Sequence, residues 1–213
     1  MRQQCKSLLI LGLLALSVGF VISLFVFKHK SSITLAPKAA TVFNTARTVD
    51  HFTLNNQQNQ EFTEEKLRNH WTFMFFGFTR CNSICPATMG VLKQVYDKLP
   101  TSTKDPAQVV FVTVDPEYDT PEKLADYVTS FNENFVGVTG SQEQLSQLQH
   151  TLGIMAMPVS HSDDENMIEH SGSIIVIDPQ GEFYALFTSP HDVDTIIGDY
   201  KNMTKYYYSH QHK

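Results

Sequence analysis

Two cysteines four residues apart are the strongest chemical signal in the sequence. Cys81 and Cys85 lie in the segment CNSICP, between an apolar run that ends at Phe78 and an amphipathic segment that begins near Pro86. A strand followed by a helix would place this loop at the carboxyl edge of an α/β sheet, where binding sites form. The helix amino terminus also stabilises a thiolate, because its free N–H groups and its dipole favour negative charge.

Two thiols at this spacing are compatible with several kinds of chemistry. They can form a structural disulfide, stay inert in the core, react as a redox dithiol, or bind one metal ion. A structural zinc site needs four protein ligands, and the sequence has no second cysteine pair to supply them. Cu(I) is a soft ion that takes thiolates, and three ligands suffice for it, so this pair would need only one histidine.

The third ligand must come from nine histidines. His170 directly precedes a predicted buried strand at residues 173–178, so a rigid element can hold it. His161 lies at the other end of a polar loop and has no such support. His170 is therefore the best candidate ligand among the histidines and ranks ahead of His161, but from spacing alone a solvated loop histidine is the favoured interpretation.

The elements that position these residues follow from hydrophobic periodicity. Residues 71–78 and 108–115 are nearly continuous apolar runs, which predict two strands buried on both faces. The apolar spacing after Pro86 predicts a helix to about Leu99 between these strands. Further strands are predicted at residues 50–54, 61–62, 136–139, 173–178 and 182–187, and further helices begin at Thr120, at Ser141 and at His191 or Asp192.

Strands that alternate with helices predict one α/β domain whose mixed sheet is covered on both faces. An amino-terminal β-hairpin at residues 50–62 opens this domain. A second hairpin at residues 173–187 and a last helix close it, which gives the sheet an antiparallel edge. The predicted domain covers residues 49–213.

The amino-terminal residues predict a membrane anchor. No charged residue occurs between Ser7 and Phe27, and residues 8–27 as a helix would span about 30 Å, the thickness of a hydrocarbon core. A cleaved signal peptide is the alternative, but its apolar stretch usually covers about 7–15 residues. We therefore expect a single transmembrane helix within residues 1–30, followed by a linker at residues 31–48.

Composition narrows the function classes further. The chain has 213 residues, 16 Lys and Arg against 22 Asp and Glu, and a net charge of −6. Four of the basic residues and none of the acidic ones lie in residues 1–30, so the remaining chain is more acidic than the total. An acidic domain argues against a nucleic-acid partner, which would need a basic face. The remaining cysteine, Cys5, precedes the predicted anchor and cannot reach the pair.

Several motifs occur together in a recognisable order. They are FGFTRC at residues 76–81 with Cys85 and Pro86, VDPEYDTPE at residues 114–122, His170 followed by Ser171, and IDPQG at residues 177–181. In this order the sequence resembles the Sco/SenC family of membrane-tethered copper proteins. The resemblance implies a thioredoxin-like three-layer sandwich, and it implies that Cys81, Cys85 and His170 are copper ligands.

The resemblance also implies a function and a location. It implies a protein that assists assembly of the binuclear copper centre of cytochrome c oxidase, as a carrier of Cu(I) or Cu(II), as a thiol-disulfide reductant of the target's cysteines, or as both. The copper chaperone is the leading hypothesis, and enzyme activity is left open. The partner would be the copper-bearing subunit of the oxidase or another periplasmic copper protein. A mitochondrial member normally carries a long targeting extension before the anchor. We therefore expect a single-pass protein of the bacterial inner membrane whose soluble domain faces the periplasm.

Two other activities could use the same loop. A thiol-disulfide oxidoreductase needs only Cys81 and Cys85, with Cys81 as the more exposed, attacking thiol. A peroxidase on a related fold would need an activating threonine or arginine, for which Thr79 and Arg80 are the candidates. The CxxxC motif combined with His170 disfavours the peroxidase.

A few residues near these motifs carry interpretations of their own. Asn82 stands where many members of the family have proline, which leaves the ligands intact but bears on the rigidity of the loop. Residues 115–119 predict a loop and a helix cap, with support of the site or docking as the alternative. The methionines near His170 are predicted to fill the core, with transient Cu(I) contacts as the alternative; they are Met155, Met157 and Met167.

Overall fold

The computed structural model describes residues 37–99, 105–153 and 172–210, and all of them belong to one unit, Ala36–Lys213. These residues form one eight-stranded sheet and four α-helices. The strands are β1 (Ala40–Thr48), β2 (Thr53–Asn56), β3 (Glu61–Thr63), β4 (Trp71–Gly77), β5 (Ala107–Thr113), β6 (Val136–Thr139), β7 (Ile174–Ile177) and β8 (Glu182–Phe187). The helices are α1 (Ile84–Lys98), α2 (Pro121–Phe131), α3 (Gln142–Thr151) and α4 (Val193–His210).

The sheet is mixed, as the sequence predicts. Its strand order is β1-β8-β7-β4-β5-β6-β2-β3, in which β4, β5 and β6 are parallel and β7 runs antiparallel to β4. All seven residues of β4 are buried, because this strand has a neighbour on each side and both of its faces are covered. β4 is therefore enclosed over its whole length, and it leads directly into the loop at residues 78–83, here called the thiol loop.

Helices and loops cover the two faces of the sheet, which gives three layers. One face packs Phe73, Phe75 and their neighbours against α1, α2 and α4. The other face packs Met74, Phe76 and their neighbours against α3 and the segment from Val49 to Leu67. The alternation of residues along β4 between the two clusters follows from the two-residue period of a strand. The predicted three-layer α/β sandwich is confirmed.

The part of the predicted linker that the structure describes is an edge strand, so that prediction is wrong for residues 40–48. β1 pairs antiparallel with β8, and Phe43 contacts the ring of Phe183 with centroids 4.8 Å apart. The pairing shifts register between Val42 and Arg47. An edge position buries no residue of β1 fully, and the shift breaks the alternation of apolar residues. Because of these two features, the sequence of β1 lacks the alternation of apolar and polar residues that predicts a strand.

The local signals for turns and caps are confirmed. β2 and β3 form the amino-terminal hairpin, and β7 and β8 form the carboxyl-terminal one. The hydroxyl of Thr120 accepts the N–H of Lys123 at the start of α2, with Pro121 at the first helical position. Ser141 and Gln144 form the predicted capping box of α3. Only α1 begins earlier than predicted, at Ile84.

A buried carboxylate fixes the start of β1. Asp199 of α4 is 1% exposed, and it accepts the backbone N–H groups of Lys38, Ala39 and Ala40 at 2.8, 2.8 and 2.9 Å. Asp199→Asn keeps the shape but places an amide NH2 group against backbone donors. We expect it to lower the free energy of unfolding by about 2 kcal/mol in urea denaturation. Asp126→Asn on the exposed side of α2 is the control and should change it by less than about 0.5 kcal/mol. Equal effects of the two variants would contradict this role.

A second buried carboxylate makes stability depend on pH. The Oδ1 atom of Asp178 accepts the N–H groups of Gln180 and Glu182 in the turn between β7 and β8. Burial raises the pKa of Asp178 from 3.8 to about 6. The folded protein then binds this proton more tightly than the unfolded chain, so this group favours folding less as pH rises through that window.

The variant Asp178→Asn removes the buried charge and keeps an acceptor oxygen for both N–H groups. We expect its stability relative to the unmodified protein to rise by about 1–2 kcal/mol between about pH 4 and pH 7. Urea denaturation at several pH values measures this difference. A difference that stays constant with pH would contradict the assignment.

The structure does not describe the residues of the predicted anchor. Within residues 37–99, 105–153 and 172–210, no helix has the length and apolar character needed to cross a membrane. The predicted span at residues 8–27 lies outside these described residues, so it stays a prediction.

Candidate metal centre

The thiol loop lies between β4 and α1, at the carboxyl end of a central strand. After Gly77 the chain turns, and the N–H of Cys81 donates to the carbonyl of Phe78 at 3.2 Å. Cys81 is half-buried in this loop, and Cys85 is buried in the first turn of α1. Both thiols are free. The sequence-based prediction that Cys81 is the more exposed thiol is confirmed.

A direct contact joins the two cysteines. The backbone N–H of Cys85 donates to the Sγ atom of Cys81 at 3.4 Å. The first N–H groups of a helix have no partner within the helix, and Ser83, the residue that precedes α1, gives no side-chain cap. The sulfur of Cys81 therefore accepts one of these N–H groups at the amino terminus of α1.

The environment of Cys85 is different. Burial raises the pKa of the Cys85 thiol well above its usual value of 9.0, and the hydrogen bond to Cys81 adds to this effect. The space around this thiol is filled, since a methyl group on Gly77 would lie 2.9 Å from its sulfur and 2.8 Å from the ring of Phe111. Burial therefore favours the protonated thiol of Cys85, and binding of a metal ion would release that proton.

Asp119 holds the thiol loop in place through hydrogen bonds. It is fully buried, and its carboxylate accepts the N–H of Thr79 at 3.0 Å and the hydroxyl of Thr79 at 2.5 Å. The hydroxyl of Thr113 at the end of β5 also donates to it, at 2.6 Å. These bonds tie the residues just before Cys81 to the end of the neighbouring strand. The alternative interpretation of residues 115–119 as support for the site is therefore the one that the geometry favours.

Arg80 is part of the same support. Its Nη2 atom donates to Asp115, which is 4% exposed, at 2.5 Å, and its guanidinium lies 4.4 Å from the ring centroid of Tyr118. Thr79 and Arg80, the two residues that a peroxidase would need to activate its cysteine, thus donate to carboxylates. Their geometry gives no support to the peroxidase alternative.

The start of β7 packs against the first turn of α1. A methyl group on Gly172 would lie 2.5 Å from Cδ1 of Ile84 and 3.6 Å from Cβ of Ser189, so the backbone at Gly172 lies close to the Ile84 side chain. Ser189 and Pro190 are joined by a cis peptide bond. The next residue, His191, donates from Nε2 to the carbonyl of Gly172 at 2.5 Å. Burial lowers the pKa of His191.

The structure brings together two of the three predicted ligands, Cys81 and Cys85. The third, His170, lies outside the described residues, as do His161 and the three methionines at positions 155, 157 and 167. Among the residues that the structure describes, no group of three His, Cys, Asp or Glu side chains could hold a metal ion. The complete ligand set therefore stays a prediction.

Sequence reasoning missed one residue close to the thiols, Tyr127, and the contact between His191 and Gly172. Tyr127 of α2 has a buried hydroxyl with no hydrogen-bond partner among the described residues, and its pKa is raised by burial and by the nearby Cys85 and Cys81. His191 was predicted only to start a helix. Neither residue occurs in a motif, and both make their contacts through tertiary packing, so no local signal marks them.

The fold and the loop define a class of protein: a thioredoxin-like α/β domain with a CxxxC loop at the carboxyl edge of its sheet. The structure of apo Sco1 from Thermus thermophilus has 29% identity and a TM-score of 0.67, covering 77% of this chain and 95% of its own. The structure of Arabidopsis thaliana ScoI with copper bound has 29% identity and a TM-score of 0.66, and the match covers 73% of this chain and 98% of its own.

Sequence comparison gives the family. The family model for SCO1/SenC matches residues 40–205. A protein of Stutzerimonas stutzeri named for copper binding is 30% identical over 189 residues, which cover 89% of each chain. The chain belongs to the SCO1/SenC family.

Proposed function

We propose that this chain is a copper chaperone that binds Cu(I) through Cys81, Cys85 and His170. The observation that carries the proposal is the pair of free thiols at the start of α1, joined by the contact from the Cys85 N–H to the Cys81 sulfur. Thiolates are soft ligands that suit Cu(I), and two of them with one imidazole are sufficient for it. The names of two relatives, one called a copper-binding protein and one solved with copper bound, support copper as the metal.

The unequal burial of the thiols suits uptake and release of a metal cargo. Cu(I) binding would displace the proton of Cys85, whose raised pKa makes the affinity depend on pH. Cys81 is half-buried at the edge of the sheet, so a partner's thiolate could reach the copper on that side. Copper would then pass by exchange of ligands, one at a time, with no change of oxidation state. The support from Asp119 and Arg80 holds the loop in place during the exchange.

The cellular setting is also a proposal. The apolar residues 8–27 would anchor the protein in the bacterial inner membrane, with the thioredoxin-like domain in the periplasm. The partner would be the copper-bearing subunit of cytochrome c oxidase, whose binuclear centre needs copper, or another periplasmic copper protein. Family membership supports this setting.

A second function uses the same thiols, and one observation favours it: an accessible Cys81 lies beside a buried Cys85. As a reductase, Cys81 would attack one sulfur of a partner's disulfide, so that a mixed disulfide forms and the partner's other sulfur leaves as a thiol. Cys85 would then attack the Cys81 sulfur and release the sulfur that was held in the mixed disulfide. The chain would end with a Cys81–Cys85 disulfide, and the partner would gain two thiols together with the two protons. His170 has no role in these steps.

Oxidase assembly in a deletion strain distinguishes the two functions. The strain is complemented with the unmodified protein, Cys81→Ser, Cys85→Ser, His170→Ala or the control His150→Ala, which changes an exposed histidine of α3. A chaperone requires both cysteines and His170, so all three variants should fail to restore the copper centre. If His170→Ala restores it fully while both cysteine variants fail, the reductase is correct and the chaperone proposal is wrong.

A further inference from the structure

Two cations contact one exposed aromatic ring beside the thiol loop. Tyr118 is 38% exposed, so burial in the core does not explain its position. The guanidinium carbon of Arg80 lies 4.4 Å from the centroid of its ring, and the ammonium nitrogen of Lys123 lies 3.4 Å from the same point. The face of an aromatic ring attracts cations at such distances, so Tyr118 holds both charged groups in place. Arg80, Tyr118 and Lys123 are here called the cation cluster.

Hydrogen bonds fix the backbone that carries the cation cluster. The N–H of Tyr118 donates to the carbonyl of Asp115 at 3.2 Å, and the N–H of Thr120 donates to the carbonyl of Tyr118 at 3.0 Å. Thr120 caps α2, and Lys123 lies in the first turn of this helix. Arg80 comes from the thiol loop, and its bond to the Asp115 carboxylate joins that loop to the same segment. The cluster is therefore held by two segments that are bonded to each other.

The cation cluster adjoins the accessible thiol. Arg80 directly precedes Cys81, which is the more exposed of the two cysteines. A partner whose sulfur reaches Cys81 therefore has to cover the surface next to it. Arginine and tyrosine are also among the residue types that contribute most to binding at protein interfaces. We therefore expect the cluster to lie within the contact with such a partner.

The hydrogen-bonding groups of the two cations suit a carboxylate. A guanidinium and an ammonium carry several N–H donors and no acceptor, and the bond from Arg80 to Asp115 does not saturate them. The same segment also carries the exposed carboxylates of Glu117 and Glu122. Hydrogen bonds with its own backbone N–H and with Thr120 lower the pKa of Glu122, so this carboxylate is engaged at the start of α2. Glu117 opposes a nearby anion, so the cluster would select a carboxylate by direct contact and not by a long-range field.

We propose that the cation cluster recognises a carboxylate that flanks the reacting sulfur of the partner, and that Tyr118 positions Arg80 and Lys123 for this contact. The inference deepens the proposed function and rests on it, because the partner is the protein that exchanges ligands with Cys81. Such a partner carries an aspartate or a glutamate beside its thiol. The contact of that carboxylate with the cluster brings the partner's sulfur next to Cys81.

Thiol exchange with two short peptides tests the proposal on the full, reduced chain. Each peptide carries one cysteine as a mixed disulfide with thionitrobenzoate, flanked by glutamates in one peptide and by glutamines in the other. The Cys81 thiolate attacks the peptide sulfur, and thionitrobenzoate leaves with the electron pair of the broken S–S bond and is measured by its absorbance. A Cys81→Ser variant gives the background from the other thiols. The readout is the rate with the glutamate peptide divided by the rate with the glutamine peptide, so the intrinsic reactivity of Cys81 cancels.

Tyr118→Ala is the decisive variant, because it changes no charge. It releases both cations, so we expect the rate ratio to fall by about two- to threefold. Tyr118→Phe keeps the face of the ring and should retain the ratio of the unmodified protein. Lys123→Gln removes one cation of the cluster and should also lower the ratio. Lys205→Gln, which changes an exposed lysine of α4, is the matched charge control and should leave the ratio nearly unchanged.

Several results would overturn the proposal. One is an unchanged ratio in Tyr118→Ala, and another is an equal loss in Tyr118→Ala and Tyr118→Phe. Equal losses in Lys123→Gln and Lys205→Gln would also overturn it, because the preference would then follow the net charge of the domain. If Tyr118→Ala does not fold, the comparison of the two lysine variants decides. The assay contains no copper, so failure of the proposed function is a separate result, seen when the reduced protein does not retain Cu(I).

Discussion

Replacing Asp119 with alanine is expected to lower the free energy of unfolding by about 4 kcal/mol, the largest effect of any single change considered. Its buried carboxylate accepts three hydrogen bonds, from the N–H and hydroxyl of Thr79 and from the hydroxyl of Thr113. Bonds to a charged acceptor contribute about 1.5 kcal/mol each at the lower end of their range. Their loss also releases the residues before Cys81, so hydrogen exchange at the Thr79 amide and alkylation of Cys81 should both accelerate.

Two further variants make the Asp119 prediction specific. Asp119→Asn keeps one acceptor oxygen and should lose about half as much stability. Asp126→Ala, on the exposed side of α2, should leave both the stability and the alkylation rate of Cys81 nearly unchanged. If Asp119→Asn destabilised the protein but left Thr79 exchange and Cys81 alkylation as they were, the carboxylate would not support the loop.

Gly77→Ala is expected to produce the second largest effect: it should lower the free energy of unfolding by about 3 kcal/mol and weaken Cu(I) binding. The new methyl group would lie 2.8 Å from Cε2 of Phe111, 2.9 Å from Sγ of Cys85 and 3.1 Å from Cε1 of Phe75. These atoms belong to fully buried side chains, so the core cannot yield without strain. Movement of the Cys85 sulfur is one way to relieve the clash, and this would distort the thiol pair.

Gly90→Ala is the matched control for Gly77→Ala. Gly90 lies inside α1, and a methyl group there would meet no atom within 4 Å. Alanine is favoured over glycine in a helix by about 1 kcal/mol, so this variant should raise stability and leave Cu(I) affinity unchanged. The expected result is that Gly77→Ala lowers the free energy of unfolding and Gly90→Ala raises it. A Gly77→Ala protein that is as stable as the unmodified protein would contradict the packing around Cys85.

The central fold could be predicted from the sequence because its elements carry strong local signals. β4 and β5 are continuous apolar runs, and α2 and α3 begin at recognisable caps. β1 could not be predicted, because it is held by long-range interactions. These are its pairing with β8 and the three backbone hydrogen bonds that Asp199 accepts at its start. An edge strand with a register shift has no periodicity of its own.

Some residues of the candidate site could likewise be predicted from local sequence signals, and others could not. Cys81 and Cys85 lie four residues apart, in the loop after β4 and in the first turn of α1, so a short motif identifies them and the helix end explains their contact. The network around Asp119 uses three separate segments, and only the alternative interpretation of residues 115–119 pointed to it. Tyr127 of α2 lies near the two thiols and His191 contacts the carbonyl of Gly172, and these tertiary contacts could be found only in three dimensions. His170 stays a prediction from the sequence and from family resemblance.

X-ray absorption at the copper edge of the Cu(I)-loaded, reduced protein tests the central claim most directly. The proposed site predicts two sulfur neighbours and one nitrogen neighbour for each copper ion. His170→Ala should lose the nitrogen and keep both sulfurs, and Cys81→Ser should lose one sulfur. Copper without sulfur neighbours, or a nitrogen neighbour that persists in His170→Ala, would contradict the account.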